Sequence, residues 1–320
     1  MLSTRMMPQV VFSIPACRGL STEVQVTRAL VVYKKSYYEL YGYTQREGRF
    51  AALQAHRQAI IEAMRLSHEE NQRTLEAVQA AFEAVGMPYD CLYRGELASV
   101  AGYNLLLSVG GDGTFLEVAR YALDLPVLGV NSDPERSMAF FCAAKRSTIR
   151  SHLEALLAGK VSEVRLARLQ VTLNDHPLPY YALNDLLMAH ANPAAMTSYT
   201  LRLGTVSEPQ RSSGLWIATA AGSTAAIRAA GGRILPLRSR QLQYLVREPY
   251  SGDRCRYRLL KGTVGPGTPL EVTSRTRRGR LFMDGPHLRF SVGLGDVLTV
   301  TTAATPLRVL GLDGTRRRRF

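Results

Sequence analysis

The fold of this chain is decided by residues 103–123, which read YNLLLSVGGDGTFLEVARYAL. The mostly apolar run 103–109 predicts a buried strand, and the run 115–123 predicts a helix. Between them lies the glycine-rich turn Gly110-Gly111-Asp112-Gly113-Thr114. Such a turn exposes backbone N–H groups beside the positive end of a helix dipole, and its glycines allow close approach to a phosphate. The stretch therefore predicts a phosphate-binding turn in an α/β protein.

A single carboxylate, Asp112, lies in the middle of that turn. A carboxylate repels phosphate unless it holds a metal ion or accepts a proton from an attacking hydroxyl group. Asp112 therefore indicates phosphoryl transfer rather than nucleotide binding alone. The alternative, in which Asp112 only caps the following helix, stays open at this point.

Length and composition narrow the class of protein. The chain has 320 residues, of which 46% are hydrophobic and 21% charged, and this is typical of a soluble protein with two domains. No apolar run reaches the roughly 18 residues of a membrane-spanning helix. The net charge of +14 comes from mostly scattered arginines, with no basic helix. We therefore expect polyanionic small-molecule substrates, with no nucleic acid and no membrane as partners.

The first 22 residues contain no acidic residue and carry Arg5 and Arg18 among serines and threonines. This composition is typical of an organelle transit peptide, and an irregular start to the chain is the alternative. We expect a leader over residues 1–26 and a mitochondrial location. A cytoplasmic, peroxisomal or plastid location is the alternative.

Predicted strands and helices alternate in the first part of the chain. They are a strand at 28–33, a loop at 37–49, a helix at 51–85, the strand and helix around the glycine turn, a strand at 126–131 and a helix at 147–158. This alternation predicts a Rossmann-like parallel sheet over residues 27–150. Ligands of such sheets bind at the carboxyl ends of the strands.

The pattern changes after that point to short strands separated by Asn, Asp, Gly and Pro. Strands are predicted at 163–173, 178–190, 198–206, 213–219, 242–248, 256–262, 269–275, 280–284 and 297–303. One helix is predicted from Ser223 to Ala230. The sequence thus predicts a β-rich domain over 151–305 and a C-terminal tail over 306–320.

Four motifs follow the glycine turn in the second half of the chain. They are Asn184-Asp185, Arg211 to Leu215, Thr219 to Ala226, and Phe282-Met283-Asp284-Gly285. In this order and spacing the chain resembles the NAD kinase family, and within it the plant-type NADH kinase branch. The stretch Gln243 to Pro249 supports that match. The resemblance covers residues 28 to 312, which is most of the chain.

The resemblance implies an activity and an architecture. Members of this family transfer the γ-phosphoryl group of ATP, with a divalent metal ion such as Mg²⁺, to the 2′-hydroxyl of the adenosine ribose of NAD⁺ or NADH. They combine an α/β N-terminal domain with a β-rich C-terminal domain and have the active site in the crevice between. They are homo-oligomers, so we expect a homodimer or homotetramer.

The resemblance also implies roles for individual residues. Asp112 matches the catalytic aspartate, and the ATP phosphates are expected at Gly110, Gly111, Gly113 and Thr114. The dinucleotide is expected at Asn131, Asn184, Asp185, Arg211, Ser213, Thr219, Gly222, Ser223, Thr224 and Ala225. An Asn amide can read an adenine edge, and an Asp carboxylate can accept hydrogen bonds from ribose hydroxyls. We assign no metal ligand.

Each of these assignments has a structural alternative. Asn184-Asp185 is also a common turn pair, and the Thr219 run could be a plain helix N-terminus. Arg211 could be a solvated surface residue, and Asn131 could serve only a turn.

The chain departs from the family at two informative places. Many members have Asp where this chain has Ser213, near the nicotinamide. Oxidised nicotinamide is cationic and reduced nicotinamide is neutral, so losing that carboxylate should weaken any preference for NAD⁺. We expect NADH to be accepted at least as well as NAD⁺. The stretch 137–142 replaces a Gly-His-Leu motif, and we expect Phe140 or Phe141 to replace the missing His by stacking.

Two other functions compete with a dinucleotide kinase. Lipid kinases of the diacylglycerol and sphingosine type carry much the same glycine turn, but they do not predict Asn184-Asp185 together with the Thr219 run. A catalytically silent NADP(H)-binding protein on the same fold is the other alternative. The intact Asp112 argues against it.

Overall fold

The computed structural model of the protein describes residues 26–42, 58–250 and 257–314. They divide into two compact units. Unit 1 holds the described residues up to Val164 together with Arg308–Asp313, and unit 2 holds Arg165–Leu307 with Gly314. The predicted leader before Val26, the predicted helical residues 51–57 and the four C-terminal arginines lie outside the described residues. Within the described part, no helix is long and apolar enough to cross a membrane.

Unit 1 is built around one seven-stranded sheet. Its elements are β1 (Ala29–Tyr33), α1 (Tyr37–Gly42), α2 (Gln58–Val85), β2 (Tyr89–Tyr93), a 3₁₀ turn (Arg94–Glu96), β3 (Leu105–Gly110), α3 (Asp112–Tyr121), β4 (Pro126–Asn131), β5 (Cys142–Lys145), α4 (Ile149–Leu157), β6 (Glu163–Leu166) and, from near the C-terminus, β19 (Leu307–Leu310). The strand order is β2-β1-β3-β4-β19-β6, and β5 also pairs with β4. The pairs formed by β1 to β5 and the β4–β19 pair are parallel, which confirms the predicted Rossmann-like sheet.

The strand order reverses direction between β1 and β3. The chain leaves β1 through α2 to reach β2 on one side, and it leaves β3 through α3 to reach β4 on the other. Ligands of open α/β sheets bind at such a switch point, outside the carboxyl ends of the strands. Tyr33 pairs with Val109, so β1 and β3 end side by side just before the glycine turn.

Apolar side chains of the sheet and two helices form the core of unit 1. Val78, Ala81 and Phe82 of α2 are buried against Leu105 and Leu107 of β3. The buried residues of α4, Ile149, Leu153 and Leu156, join the same cluster. The sheet is therefore held rigid beneath the turn that follows β3.

Unit 1 differs from the sequence expectations in several places. A helix, α1, stands where a loop was predicted, because Ser36 caps it: the Ser36 Oγ accepts the N–H of Glu39 at 3.0 Å. The predicted tail contains β19, which pairs with β4, because Leu307 and Leu310 are fully buried. The unit also extends to Val164, beyond the predicted boundary at 150.

Unit 2 consists of two six-stranded sheets. Its elements are β7 (Leu169–Leu173), β8 (His176–Pro177), β9 (Asp185–His190), β10 (Thr197–Leu203), β11 (Val206–Ser212), β12 (Gly214–Ala218), a 3₁₀ turn (Gly222–Thr224), α5 (Ala226–Ala229), β13 (Leu242–Arg247), β14 (Lys261–Val264), β15 (Leu270–Ser274), β16 (Gly279–Met283), β17 (Leu288–Val292) and β18 (Val297–Thr302). The strand orders are β11-β10-β15-β18-β7-β8 and β14-β13-β12-β9-β16-β17. All the described pairings within both sheets are antiparallel.

One hydrophobic core joins the two sheets of unit 2. Tyr199 and Leu201 of β10 and Leu298 of β18 share this core with Leu215 and Ile217 of β12. The unit is therefore a β-sandwich, which confirms the predicted β-rich domain.

The single helix predicted from Ser223 to Ala230 is wrong. The chain forms a 3₁₀ turn and then the one-turn helix α5, and between them Ala225 takes the non-helical angles φ −92° and ψ −141°. The reason lies in Ser223, whose Oγ donates to the carbonyl of Ala220 at 2.7 Å and accepts the N–H of Leu235 at 2.9 Å. These bonds hold a tight turn that a regular helix cannot provide.

Gly129 of β4 provides a test of the packing of unit 1. A Cβ atom at this position would lie 2.7 Å from the carbonyl oxygen of Phe141 and 2.9 Å from the Cα of Cys142. We expect Gly129→Ala to lower the free energy of unfolding by about 1–3 kcal/mol, because the backbone must shift to admit a methyl group. Urea denaturation measures this change.

The matched control is Gly265→Ala, since the nearest atom to a Cβ there is 3.9 Å away. If both variants unfolded at the same urea concentration as the wild type, the close contact at Gly129 would not constrain the fold.

Candidate functional site

The glycine turn of unit 1 joins the fully buried strand β3 to α3. The N–H groups of Thr114 and Phe115 both donate to the carbonyl of Gly111 at 3.1 Å, which begins the helix. A Cβ on Gly110 would collide with the side chain of Thr114. Glycine is therefore required where the backbone folds back against its own helix.

Two side chains of this turn, a carboxylate and a hydroxyl, provide its reactive and ligand-binding groups. Asp112 is half-buried, and its Oδ1 accepts the backbone N–H of Phe141 at 3.0 Å. Thr114 is 1% exposed, and its Oγ1 has no hydrogen-bond partner among the described residues. A buried hydroxyl without a partner is rare in a folded protein and indicates a place for a ligand or an ordered water molecule.

A cavity of about 660 Å³ opens beside the turn. Its walls come from α1, the first half of α2 and the turn itself, and it includes three cationic side chains, Lys34, Lys35 and Arg94. The volume falls in the range of small-molecule sites. The three cations were not among the predicted site residues, although the position of Lys34 and Lys35 directly after the first strand could have indicated them.

Asn131 ends β4 and organises the loop that follows. Its Nδ2 donates to the carbonyl of Ser137 at 2.8 Å, and its Oδ1 accepts the N–H of Asp133 at 3.1 Å. Ser137 lies against the turn, since a Cβ on Gly111 would be 2.9 Å from its Oγ. Asn131 thus shapes the wall of the cavity, and its contact with a dinucleotide stays a prediction.

The expected stacking of Phe140 or Phe141 on a ligand is wrong. Phe141 is 0% exposed and stacks on Phe115 with ring centroids 5.0 Å apart, and Phe140 packs edge-on against it. Both rings serve the core of unit 1 because they follow directly on the loop that returns to β5.

Three motifs that are far apart in the sequence meet at one end of a sheet in unit 2. Asp185 begins β9 with Asn184 directly before it, Thr219 follows β12, and Asp284 follows β16. These three strands are neighbours, with Ala218 paired to Asp185 and Met283 paired to Leu186. Antiparallel pairing therefore brings Asn184, Asp185 and the loop that begins at Thr219 into one cluster with Asp284.

Asp284 fixes the backbone of this cluster. Its carboxylate accepts the N–H groups of Leu183, Asn184 and Asp185 at 2.8, 2.7 and 3.2 Å. It reaches them from the turn between β16 and β17, where its φ is +48°. The sequence singled out the motif that contains Asp284 but not the role of its carboxylate, which depends on pairing between distant strands.

Thr219 and Gly222 hold the loop after β12 against the same backbone. The Thr219 Oγ1 donates to the carbonyl of Leu183 at 2.5 Å and accepts the N–H of Gly222 at 3.1 Å. A Cβ on Gly222 would collide with the backbone of Asn184. The hydroxyls of Thr219 and Ser223 therefore bond within unit 2, and Thr224 and Ala225 continue the loop.

The side chains of Asn184 and Asp185 are the polar groups of the cluster that can contact a ligand. Asn184 is 9% exposed, and its Oδ1 has no hydrogen-bond partner among the described residues. Burial, and then the nearby Asp284 carboxylate, raise the pKa of Asp185 to about 7. Perturbed buried groups of this kind are common in binding and catalytic sites.

Arg211 and Ser213 lie near the start of β12. The guanidinium of Arg211 is exposed and lies over the ring of Tyr250, 5.3 Å from its centroid. Among the described residues, no hydrogen bond joins it to Asn184, Asp185 or Thr219. Ser213 is half-buried, and its N–H donates to the carbonyl of Arg247 at 3.0 Å. Contacts of these two residues with a dinucleotide stay predictions.

The raised pKa of Asp185 predicts how stability depends on pH. Between about pH 4 and pH 7 the folded protein binds this proton and the unfolded chain does not, so the contribution of Asp185 to stability falls as pH rises through that window. The variant Asp185→Asn stays neutral. We expect it to gain stability relative to the wild type as pH rises from 5 to about 8, measured by urea denaturation.

The exposed turn residue Asp175 provides the control variant, Asp175→Asn. A stability difference between Asp185→Asn and the wild type that stayed constant over this pH range would contradict the prediction.

Comparisons with known proteins agree with the sequence resemblance. No protein-family model matches the chain. It is 34% identical over 263 residues to a probable NADH kinase of Oryza sativa subsp. japonica, covering 75% of this chain and 81% of that protein. The structure resembles yeast NADH kinase complexed with NADH, with a TM-score of 0.69 at 13% identity over 96% of this chain and 90% of that one. It also resembles an NAD kinase from Archaeoglobus fulgidus in complex with ATP, with a TM-score of 0.61 at 19% identity over 88% of this chain and 92% of that one.

The two solved structures share the two-domain architecture found here, and the rice protein shares sequence over most of both chains. The chain therefore belongs to the NAD kinase family and is similar to the plant NADH kinases within it.

Proposed function

We propose that this chain is an ATP-dependent NAD(H) kinase that phosphorylates the 2′-hydroxyl of the adenosine ribose of NADH and NAD⁺, forming NADPH and NADP⁺. The observation that carries the proposal is the cavity of unit 1, in which Asp112 and the unpartnered Thr114 hydroxyl lie beside three cations. A site for phosphoryl transfer needs positive charge around the phosphates and one group that handles the proton of the acceptor.

The cluster of unit 2 provides the groups that recognise a nucleoside. The unpartnered Asn184 Oδ1 accepts a hydrogen bond from the exocyclic amine of adenine, and Asp185 binds the ribose hydroxyls. Both groups are presented by a backbone that Asp284 and Thr219 hold in place. This preorganised cluster recognises the nucleoside, and Gly222 lets the loop after β12 pack directly on the backbone of Asn184.

Asp112 acts as the general base. It accepts or orients the proton of the 2′-hydroxyl as the oxygen attacks the γ-phosphorus of ATP, whose bond to the β,γ-bridging oxygen breaks so that ADP leaves. The N–H of Phe141 donates to one of its oxygens and so fixes the direction of the carboxylate. The backbone N–H groups of the turn and the N-terminus of α3 stabilise charge on the phosphoryl oxygens.

A Mg²⁺ ion fits this site as a partner of the donor nucleotide. The described residues contain no group of three or more His, Cys, Asp or Glu side chains that could hold a metal ion by themselves. Mg²⁺ is commonly held by one or two carboxylates together with substrate phosphates and water, and Asp112 and the Thr114 hydroxyl provide suitable oxygens. Such an ion would neutralise charge on the phosphates.

Two further properties are proposed on the sequence alone. The family resemblance supports a homodimer or homotetramer. The acid-free composition of the first 22 residues supports a mitochondrial location.

The direct test is formation of NADP(H) from ATP and Mg²⁺, run side by side on NADH and NAD⁺. Product from both substrates is the expected result. A folded protein that bound the dinucleotide without making product would be a silent NADP(H)-binding protein. Phosphorylation of diacylglycerol or sphingosine in place of the dinucleotide would establish a lipid kinase.

Asp112 is tested by Asp112→Asn, which removes the base and keeps the shape of the side chain. We expect kcat to fall by about 10²–10⁴-fold, with binding of ATP and NADH retained, because the lost group acts on the proton in the transition state. Steady-state kinetics and calorimetric binding measure the two effects. The control is Asp124→Asn in the exposed turn after α3. A kcat like that of the control would rule out Asp112 as the base.

Ser213 is tested by restoring the carboxylate with Ser213→Asp. We expect the ratio of kcat/KM for NAD⁺ to that for NADH to rise by about fivefold, since a charge pair in a solvated site contributes about 1 kcal/mol. The wild type is expected to use NADH at least as well as NAD⁺. Ser207→Asp on the exposed face of β11 is the control. An unchanged ratio of the two kcat/KM values would show that Ser213 does not lie near the nicotinamide.

A further inference from the structure

Lys34 occupies the switch point of the sheet in unit 1. It follows directly after β1, and its backbone N–H donates to the carbonyl of Val109 at 3.3 Å. This bond places Lys34 next to the strand end from which the glycine turn begins. Its side chain lines the same cavity as Asp112 and Thr114.

The ammonium of Lys34 lacks the partner that its neighbours have. Lys35 lies over the ring of Tyr93, 4.5 Å from the centroid, and Arg94 forms an ion pair with Glu117 at 3.5 Å. Within the ranges that the structure describes, no carboxylate comes within 4.0 Å of the Lys34 Nζ. Lys34 is therefore a half-buried cation without an ion pair.

The surroundings of this cation disfavour its charge. Burial, the largest cause, lowers the pKa of Lys34, and Arg94, whose influence is smaller than that of Asp133, also lowers it. Asp133 acts in the opposite direction but more weakly than burial, and its carboxylate already accepts bonds from Ser67 at 2.7 Å and Arg136 at 3.1 Å. Holding an unpaired charge out of water costs stability unless an anion binds there.

Three independent groups for an anion therefore converge on one cavity: an unpaired ammonium, the orphaned hydroxyl of the fully buried Thr114, and the N-terminus of the ten-residue helix α3. We propose that the Lys34 ammonium binds the phosphoryl oxygens of the nucleotide donor and neutralises their charge during transfer. This inference rests on the function proposed above. A lysine suits the role because a compact point charge can follow the phosphoryl group between donor and acceptor.

The experiment compares Lys34→Met, which removes the charge at nearly constant length, with Lys34→Arg and with the control Lys160→Met. Lys160 is an exposed residue of unit 1 outside the cavity. For each protein, the KM values for ATP and NADH, kcat, the Kd for ATP in the absence of dinucleotide, and the thermal midpoint without ligands are measured.

We expect Lys34→Met to weaken ATP binding by about tenfold or more, since it removes a charge-assisted hydrogen bond to the phosphates. The KM for NADH should stay close to the wild-type value, and Lys34→Arg should recover much of the ATP affinity. The thermal midpoint of Lys34→Met without ligand should equal or exceed that of the wild type, because the unpaired charge is gone.

Three outcomes would overturn the inference. The first is an unchanged ATP affinity. The second is a rise confined to the KM for NADH, which would assign Lys34 to the dinucleotide. The third is a lowered thermal midpoint with loss of both affinities, which would make Lys34 structural. If the wild type bound ATP but formed no NADP(H), the proposed function would fail, and the inference would be judged on the ATP affinities alone.

Discussion

The constraint on which the site in unit 1 depends is the reversal of strand order between β1 and β3. Because the chain leaves these neighbouring parallel strands in opposite directions, a crevice opens at their carboxyl ends, and the cavity beside the glycine turn lies there. Lys34 and the glycine turn both emerge at that edge. The rest of unit 1 serves to hold this edge still: α2 and α4 bury the sheet on one face, and Phe115 stacks on Phe141 beneath the turn.

Unit 2 uses a different physical device for the same purpose. Its site is set by hydrogen bonds to the main chain, since one carboxylate and one hydroxyl hold the segment that presents Asn184 and Asp185. Asp284 and Thr219 form their hydrogen bonds to the main chain of unit 2. The Asn184 Oδ1 can therefore accept a hydrogen bond from a ligand. Rotation of the backbone that presents it would break the hydrogen bonds with Asp284 and Thr219, which would cost stability. Binding then requires little reorganisation.

The parts of this structure that could be predicted from the sequence are those encoded locally. The strand, turn and helix around Asp112 could be predicted because apolar periodicity and glycines report on a single stretch of chain. The order of the later motifs identified the family, and with it the two-domain fold. The role of Asp284 could not be predicted, because it depends on the register of β9 against β16. The stacking assigned to Phe140 and Phe141 failed for a related reason: an aromatic pair beside a motif looks the same in sequence whether it faces a ligand or the core.

The position of β19 has a consequence for the synthesis of the protein. Residues Leu307–Leu310 come after every strand of unit 2, yet they lie inside the sheet of unit 1, between β4 and β6. A growing chain that has delivered all of unit 2 still lacks the strand that joins β6 to the rest of that sheet. The strands of unit 2 can thus all pair before the sheet of unit 1 is complete, since that sheet needs residues synthesised after them. The order in which the two units can complete their sheets is therefore the reverse of the order in which their first strands are translated.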